Sequence, residues 1–307
     1  MNKLPKLSVV TITYGHQDYI TEMLDGVFMQ QYDGPVEFII ANDNSPDNTD
    51  QVIKDYLAKH TIPDNFEVKY TKHPQNIGMM PNFFWALDQA TGKYLSLCEG
   101  DDVWIDRLKL QKQVEFLEFN HDFSLVFSNA EVLINKDSGR NNSERGLKVI
   151  EENREYLPAE IVKSWLIPTA SVVLRTSALG NFYYDKVVGN KNFMFGDTVL
   201  FLCAAKYGKL YGMQEYFVKY RRHVGGATNT KASIEADQIF GDYYLEIIKL
   251  FGSEFKNALA GHIGRVYFSQ ALYALKNKNI IRFSYCLFYT CKYQPKLVLN
   301  YIRKKLR

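Results

Sequence analysis

Three carboxylates fall within four residues, at Glu99, Asp101 and Asp102 with Gly100 among them, where a short apolar run ends. Residues 94–99 (Tyr-Leu-Ser-Leu-Cys-Glu) carry no charge before Glu99, which predicts a buried strand. Acids delivered together by such a strand repel one another unless a shared proton, an Arg or Lys, or a divalent cation lies among them. Mg²⁺ and Mn²⁺ take oxygen ligands and commonly pair one or two carboxylates with substrate phosphates. The chemical expectation is therefore a metal–diphosphate site. A solvated acidic turn is the plainer alternative.

An alternation of elements must position these acids. Residues 7–13 (Leu-Ser-Val-Val-Thr-Ile-Thr) form a β-branched run ending at Tyr14-Gly15, and Ile20, Leu24, Val27 and Phe28 follow at helical spacing. Residues 36–41 predict a second strand, which enters the turn-rich stretch 42–49; Val52, Ile53, Tyr56 and Leu57 then mark a helix. A third strand, 66–71, leads to Asn76-Ile77-Gly78, with Asn82 as the expected cap of the helix beyond. Such alternation predicts an α/β fold with a mainly parallel sheet flanked by helices. Ligands of open sheets bind beyond the carboxyl ends of the strands. Thr13, Tyr14, Asp43 and the three acids are thus expected to share one crevice.

Further along, Leu108, Leu110, Val114 and Leu117 predict a helix, 123–134 a strand and 136–155 a polar connecting loop. Residues 157–165 read as helix, 171–175 as strand, and Gly196-Asp197 opens a helix through residue 205. A strand at 216–221 runs into Arg221-Arg222-His223, and helical patterning begins at 233.

The chain has 307 residues with 46% hydrophobic and 23% charged content, enough core for one large α/β unit or two domains. Its net charge of +3 is uneven: residues 276–307 hold nine Lys/Arg and no Asp/Glu, which leaves the body acidic. An acidic body argues against a primer-binding basic cleft there. Four cysteines lack metal-ligand or redox spacing and read as free thiols of a reducing compartment. With neither a signal-peptide pattern nor an apolar run near the ~20 residues that span a bilayer, the expected location is cytoplasmic.

The order strand, Asn42-Asp43-Asn44-Ser45, Asn76-Ile77-Gly78, Leu97-Cys98-Glu99-Gly100-Asp101-Asp102-Val103-Trp104 resembles a family 2 glycosyltransferase of the GT-A fold. The flavour is that of bacterial enzymes assembling surface polysaccharides, over roughly residues 7–226. The resemblance implies an inverting, metal-dependent transfer of a sugar from a nucleotide-diphosphate donor, normally a UDP-sugar. It implies that Thr13 and Tyr14 touch the nucleotide, that Asp43 accepts from the base, and that Asn76 and Gly78 pass over the nucleoside and sugar. Glu99 and Asp101 fill the acid-x-acid metal motif, with Gly100 and Asp102 completing the donor site. The first acid is Glu where Asp is frequent, which leaves Asp101 as the principal ligand of Mn²⁺ or Mg²⁺. Asp197 falls at the later acidic motif and is the implied general base, while on residue type alone a helix cap is the favoured reading. Arg221 and Arg222 would pair with phosphates, His223 would bind metal or phosphate, and Trp104 would floor the acceptor, with simple burial as its alternative.

The expected organisation is a transferase domain at 1–229 and a helical region at 230–307. The first divides into a nucleotide-binding half at about 1–135 and an acceptor half at about 156–229. The basic, aromatic end of the helical region fits an anionic membrane surface or a packed terminal helix. Expected partners are a nucleotide-sugar and a saccharide or polyprenyl-diphosphate-linked saccharide, at the inner face of the plasma membrane, with no nucleic acid. Two other readings remain at this stage: a nucleotidyltransferase-like metal enzyme, and a non-catalytic binding protein on a degenerate transferase fold.

Overall fold

The computed structural model describes residues 3–134, 149–164, 166–193, 195–223, 226 and 234–305. The chain divides into two compact units, Met1–Gly189 with Phe195–Val224, and Asn190–Met194 with Gly225–Arg307.

The first unit is built on four parallel strands: β1 (Leu7–Thr13), β2 (Val36–Asn42), β3 (Phe66–Lys72) and β4 (Tyr94–Leu97). They are joined by α1 (Ile20–Phe28), α2 (Thr49–Lys59) and α3 (Met79–Asp88). β1 and β2 are buried along almost their whole length, the continuous apolar pattern of strands covered on both faces. Their amino ends are pinned by Glu37, whose buried carboxylate accepts from Lys6, Lys69 and Ser8. Burial opposes ionisation of Glu37, but those donors outweigh it and hold the carboxyl well below the usual range.

The strand order is β3-β2-β1-β4-β8-β6-β9-β5, with β7 beside β9. The added strands are β5 (Val103–Trp104), β6 (Phe123–Ile134), β7 (Arg154–Tyr156), β8 (Val173–Arg175) and β9 (Lys209–Arg222). β6 and β9 form another long parallel ladder, whereas the antiparallel pairings span only two or three residues each. Successive strands step from β1 to β3 in one direction, and the chain then crosses to place β4 on the other side of β1. That reversal opens a crevice at the carboxyl ends of β1 and β4.

Three expectations change. Asn82 does not cap α3, because Gly78 (φ +93°) turns the chain so that the helix starts at Met79. Asn82 is buried in the helix instead, donating to Ala41 O at 3.1 Å with its Oδ1 2.9 Å from His73 Nε2. In the helix α4 (Lys109–Phe119), Leu108 is 37% exposed and Lys109 is 0% exposed, the reverse of the expected register. The polar stretch at 136–155 runs into β7 at its end, while its residues 136–148 lie outside the described ones.

The first unit also holds three further helices, α5 (Pro158–Ser164), α6 (Asn181–Lys186) and α7 (Gly196–Ala205). The second unit contains α8 (Ile234–Phe251), α9 (Phe255–Lys276), α10 (Ile280–Tyr293) and α11 (Pro295–Lys305). Tyr267 of α9, buried, stacks on Tyr289 of α10 at 4.7 Å, and Ile263, Ala271 and Cys286 of the same two helices are buried as well. Among the described residues no helix is long and apolar enough to cross a membrane.

Candidate active site

The loops that follow β1 to β4 are cross-linked by short polar side chains. Gly15, His16 and Gln17 donate backbone N–H groups to Ser45, Thr49 and Asp47 in the loop after β2. Asp43 closes the next junction, its two carboxylate oxygens accepting from Ile77 N–H at 2.7 Å and Gly78 N–H at 2.9 Å. Asn76 donates to Asp43 O at 3.3 Å. Asp43 is buried, so in this structure its carboxylate organises the Asn76–Gly78 loop.

The acidic turn extends β4. Cys98 N–H and Gly100 N–H donate to Val10 O and Ile12 O, which lays the turn alongside the end of β1. Gly100 is required there by space: a Cβ would lie 2.6 Å from Thr13 Oγ1 and 2.7 Å from His16 Nδ1. β9 approaches from the other side. Arg221 N–H donates to Asp102 Oδ1 at 2.9 Å, Arg221 Nε donates to Asp101 O at 2.8 Å, and its guanidinium reaches Glu22 Oε2 at 2.9 Å. Arg221, expected on a phosphate, thus braces the turn against α1; Arg222 beside it is half-buried.

The turn sorts its acids. Asp101 Oδ2 lies 2.9 Å from His223 Nε2 and 3.9 Å from His16 Nε2. Burial alone would neutralise Asp101, but His223's hydrogen bond and the two imidazoles hold its carboxyl below the usual range. Burial and the neighbouring carboxylates push Asp102 and Glu99 well above it. Asp102 Oδ2 is buried without a hydrogen-bond partner, and the Glu99 side chain makes no hydrogen bond or ion pair among the described residues. Burial and the His223 charge lower the His16 imidazole in spite of Asp101.

One donor oxygen and two imidazole nitrogens, from Asp101, His16 and His223, lie within 4.8 Å of one another and suit a divalent ion. Glu99, expected as a ligand, contributes no oxygen to this group. Thr13 is buried with its hydroxyl 3.2 Å from His16 Nδ1, while Tyr14 is 49% exposed beside it.

Asp197 lies in the first turn of α7. The cap residue of that helix is Phe195, so Asp197 is not the N-cap. Its carboxylate accepts from Thr169 Oγ1 at 2.8 Å and Thr198 N–H at 2.6 Å. Burial raises its pKa although both bonds favour the charged form, and its own charge helps to raise Glu99. The backbone can come this close because Gly196 packs on the Phe83 ring, where a Cβ would fall at 2.6 Å.

Trp104 corrects the sequence expectation. It is 1% exposed, its indole N–H donates to Ala170 O at 2.9 Å, and Lys109 Nζ lies 4.2 Å over its ring. A side chain so enclosed floors no acceptor. The reading of the sequence also missed His16 and the bracing role of Arg221. His16 carries no motif, and only its place just past the end of β1 signals it.

Residues 8–185 match the family described as Glycosyl transferase family 2. An uncharacterized protein of Mycobacterium bovis is 35% identical over 220 residues, covering 72% of this chain and 60% of that one. The chain thus spans about 60% of the length of this relative. Among solved structures, S. aureus TarS in complex with UDP-GlcNAc is similar with a TM-score of 0.62 at 17% identity, covering 91% of this chain and 89% of that one. A Pyrobaculum calidifontis mannosyltransferase, solved with GDP-Man and Mn²⁺, has a TM-score of 0.57 at 14% identity, covering 97% and 84%. The fold is that of the GT-A enzymes, and the chain belongs to glycosyltransferase family 2.

Proposed function

We propose that this chain is an inverting, metal-dependent glycosyltransferase that moves a sugar, of hexosyl type, from a nucleotide-diphosphate donor to a saccharide or lipid-linked saccharide. The carrying observation is that two partly buried carboxylates sit in opposite electrostatic surroundings. Two histidines beside Asp101 at the sheet's reversal point lower its pKa, and burial raises that of Asp197 on α7. Asp101, His16 and His223 would hold Mn²⁺ or Mg²⁺, which when bound neutralises charge on the departing diphosphate. Tyr14 and the Asn76–Gly78 loop flank the nucleoside, and Asp102 with Arg221 keeps the turn in place.

Asp197 supplies the other half. It accepts the proton of the acceptor hydroxyl as that oxygen bonds to the anomeric carbon, while the bond from that carbon to the diphosphate breaks on the opposite face. A carboxylate raised by burial is a stronger base near neutral pH than an ordinary one.

UDP is the favoured nucleotide because TarS, with the same fold, was solved with UDP and UDP-GlcNAc. Acceptors of surface-polysaccharide type, carried on a polyprenyl diphosphate, fit the basic, aromatic α10 and α11, which would rest on the inner face of an anionic membrane. Release of nucleoside diphosphate from a panel of UDP-, dTDP- and GDP-sugars with Mn²⁺ tests the reading. Turnover with one nucleotide class supports it. No turnover with any donor refutes it, and metal-dependent incorporation of a nucleotide would favour a nucleotidyltransferase.

A further inference from the structure

We infer that His16 is a direct metal ligand, taking the place that the acid-x-acid pattern assigns to Glu99. The inference deepens the metal-dependent reading above and rests on it for the site. Three observations carry it.

The first is convergence. His223 Nε2 and His16 Nε2 approach the same oxygen of Asp101, at 2.9 and 3.9 Å. Neighbouring ligands on an ion with bonds of roughly 2.1 Å sit about 3 Å apart, so only a small closure of the His16 ring is needed. The second is preparation of the ring. His16 Nδ1 lies 3.2 Å from Thr13 Oγ1, and with Nδ1–H donating there, the Nε2 lone pair is left free for a cation. Metal-binding histidines are held through the other nitrogen in this way. The backbone is fixed as well, since His16 N–H donates to Thr49 Oγ1 and its carbonyl accepts from Tyr19 and Ile20.

The third is the space reserved for the ring. At Gly100 a methyl group would fall 2.7 Å from His16 Nδ1, so the glycine of the acidic motif lets this imidazole reach the turn. Glu99, across that glycine, donates no oxygen to the cluster. Two nitrogens and one oxygen favour Co²⁺ and, less strongly, Mn²⁺ over Mg²⁺, which prefers oxygen alone.

The test reads ion binding rather than turnover. The metal-free full chain is titrated with Mn²⁺ and Mg²⁺ by calorimetry, with and without UDP, and with Co²⁺ by visible absorption and by paramagnetically shifted imidazole protons. The wild type is expected to prefer Mn²⁺ to Mg²⁺ at least tenfold and to show two shifted imidazoles. His16→Ala, and His16→Asn, which keeps a partner for Thr13, should each lose one shifted imidazole and about 10- to 100-fold in Mn²⁺ affinity. Glu99→Gln should stay within about threefold. Either His16 variant with wild-type affinity and an unchanged spectrum would overturn the inference, as would a wild type that binds no ion in either condition. A wild type that binds Mn²⁺ through His16 but turns over no sugar nucleotide would instead sink the transferase reading alone.

Discussion

For Asp197 as the proposed base, the atoms that set its ionisation belong to two hydroxyl-bearing neighbours, Thr169 and Thr198. Thr169 Oγ1 donates to the carboxylate, which favours the charged form, whereas burial favours the neutral one and prevails. A base must be ionised to act, so the acid limb of kcat/KM is expected above the ordinary carboxylate range. Thr169→Val removes a bond to the charged form and should move that limb further to alkaline pH, which a pH–rate profile of both proteins checks. Asp101, Asp102 and Asp197 were legible in the sequence because each sits in a local run of strand, turn or helix start. His16 and the bracing role of Arg221 were not, because their partners lie 85 and 120 residues away along the chain and only the sheet order brings them together.

At the scale of elements, the site depends on how closely β1 and the turn after β4 approach. Gly100→Ala would drive a methyl group into Thr13 and His16, an overpacking that typically costs about 1–3 kcal/mol. Its melting temperature should fall by several degrees, with weakened metal binding. Beneath the same turn, Lys109 is fully buried, donating to Ser96 Oγ at 3.0 Å and Val172 O at 3.4 Å. Burial lowers its pKa to about 7. Between that value and the lysine range near 10.4 the unfolded chain holds the extra proton, so this residue's contribution to stability rises with pH. Lys109→Met should therefore match or exceed the wild type in melting temperature at pH 7 and lose that advantage toward pH 9.5. The amphipathic pattern placed Leu108 inside and ignored Lys109, since a lysine is rarely enclosed without a stated partner. Here Ser96 and the Trp104 ring provide one, and neither adjoins it in sequence.

At the scale of the whole molecule, the strand–helix alternation through β4 was readable because each buried strand is a compact apolar run with turn residues at both ends. β5 and β7, of two and three residues, were not, because such short strands are defined by their pairing with β9 and not by a pattern of their own. The helical unit carries its own prediction. α10 turns Cys286 and Thr290 inward and exposes Ile281 (88%), Tyr285 and Phe288 (60%) along its outer side. Residues 276–307 are cationic without a single acid. Two such faces repel each other, and an anionic bilayer attracts both the charge and the aromatic rings. Co-sedimentation with vesicles containing phosphatidylglycerol is expected, weakened by salt, lost with neutral vesicles, and reduced at least tenfold in the double variant Ile281→Asp, Phe288→Asp.

On the proposed reading, leaving-group binding and proton removal belong to separate carboxylates, Asp101 and Asp197. Calorimetric binding of UDP with Mn²⁺, measured beside sugar transfer on wild type, Asp101→Ala and Asp197→Asn, separates them. Asp101→Ala should lose metal-dependent UDP binding and turnover together. Asp197→Asn should bind UDP within a few-fold of wild type yet transfer sugar about 10²- to 10⁴-fold more slowly. Wild-type transfer by Asp197→Asn, or undiminished Mn²⁺-dependent UDP binding by Asp101→Ala, would contradict the account.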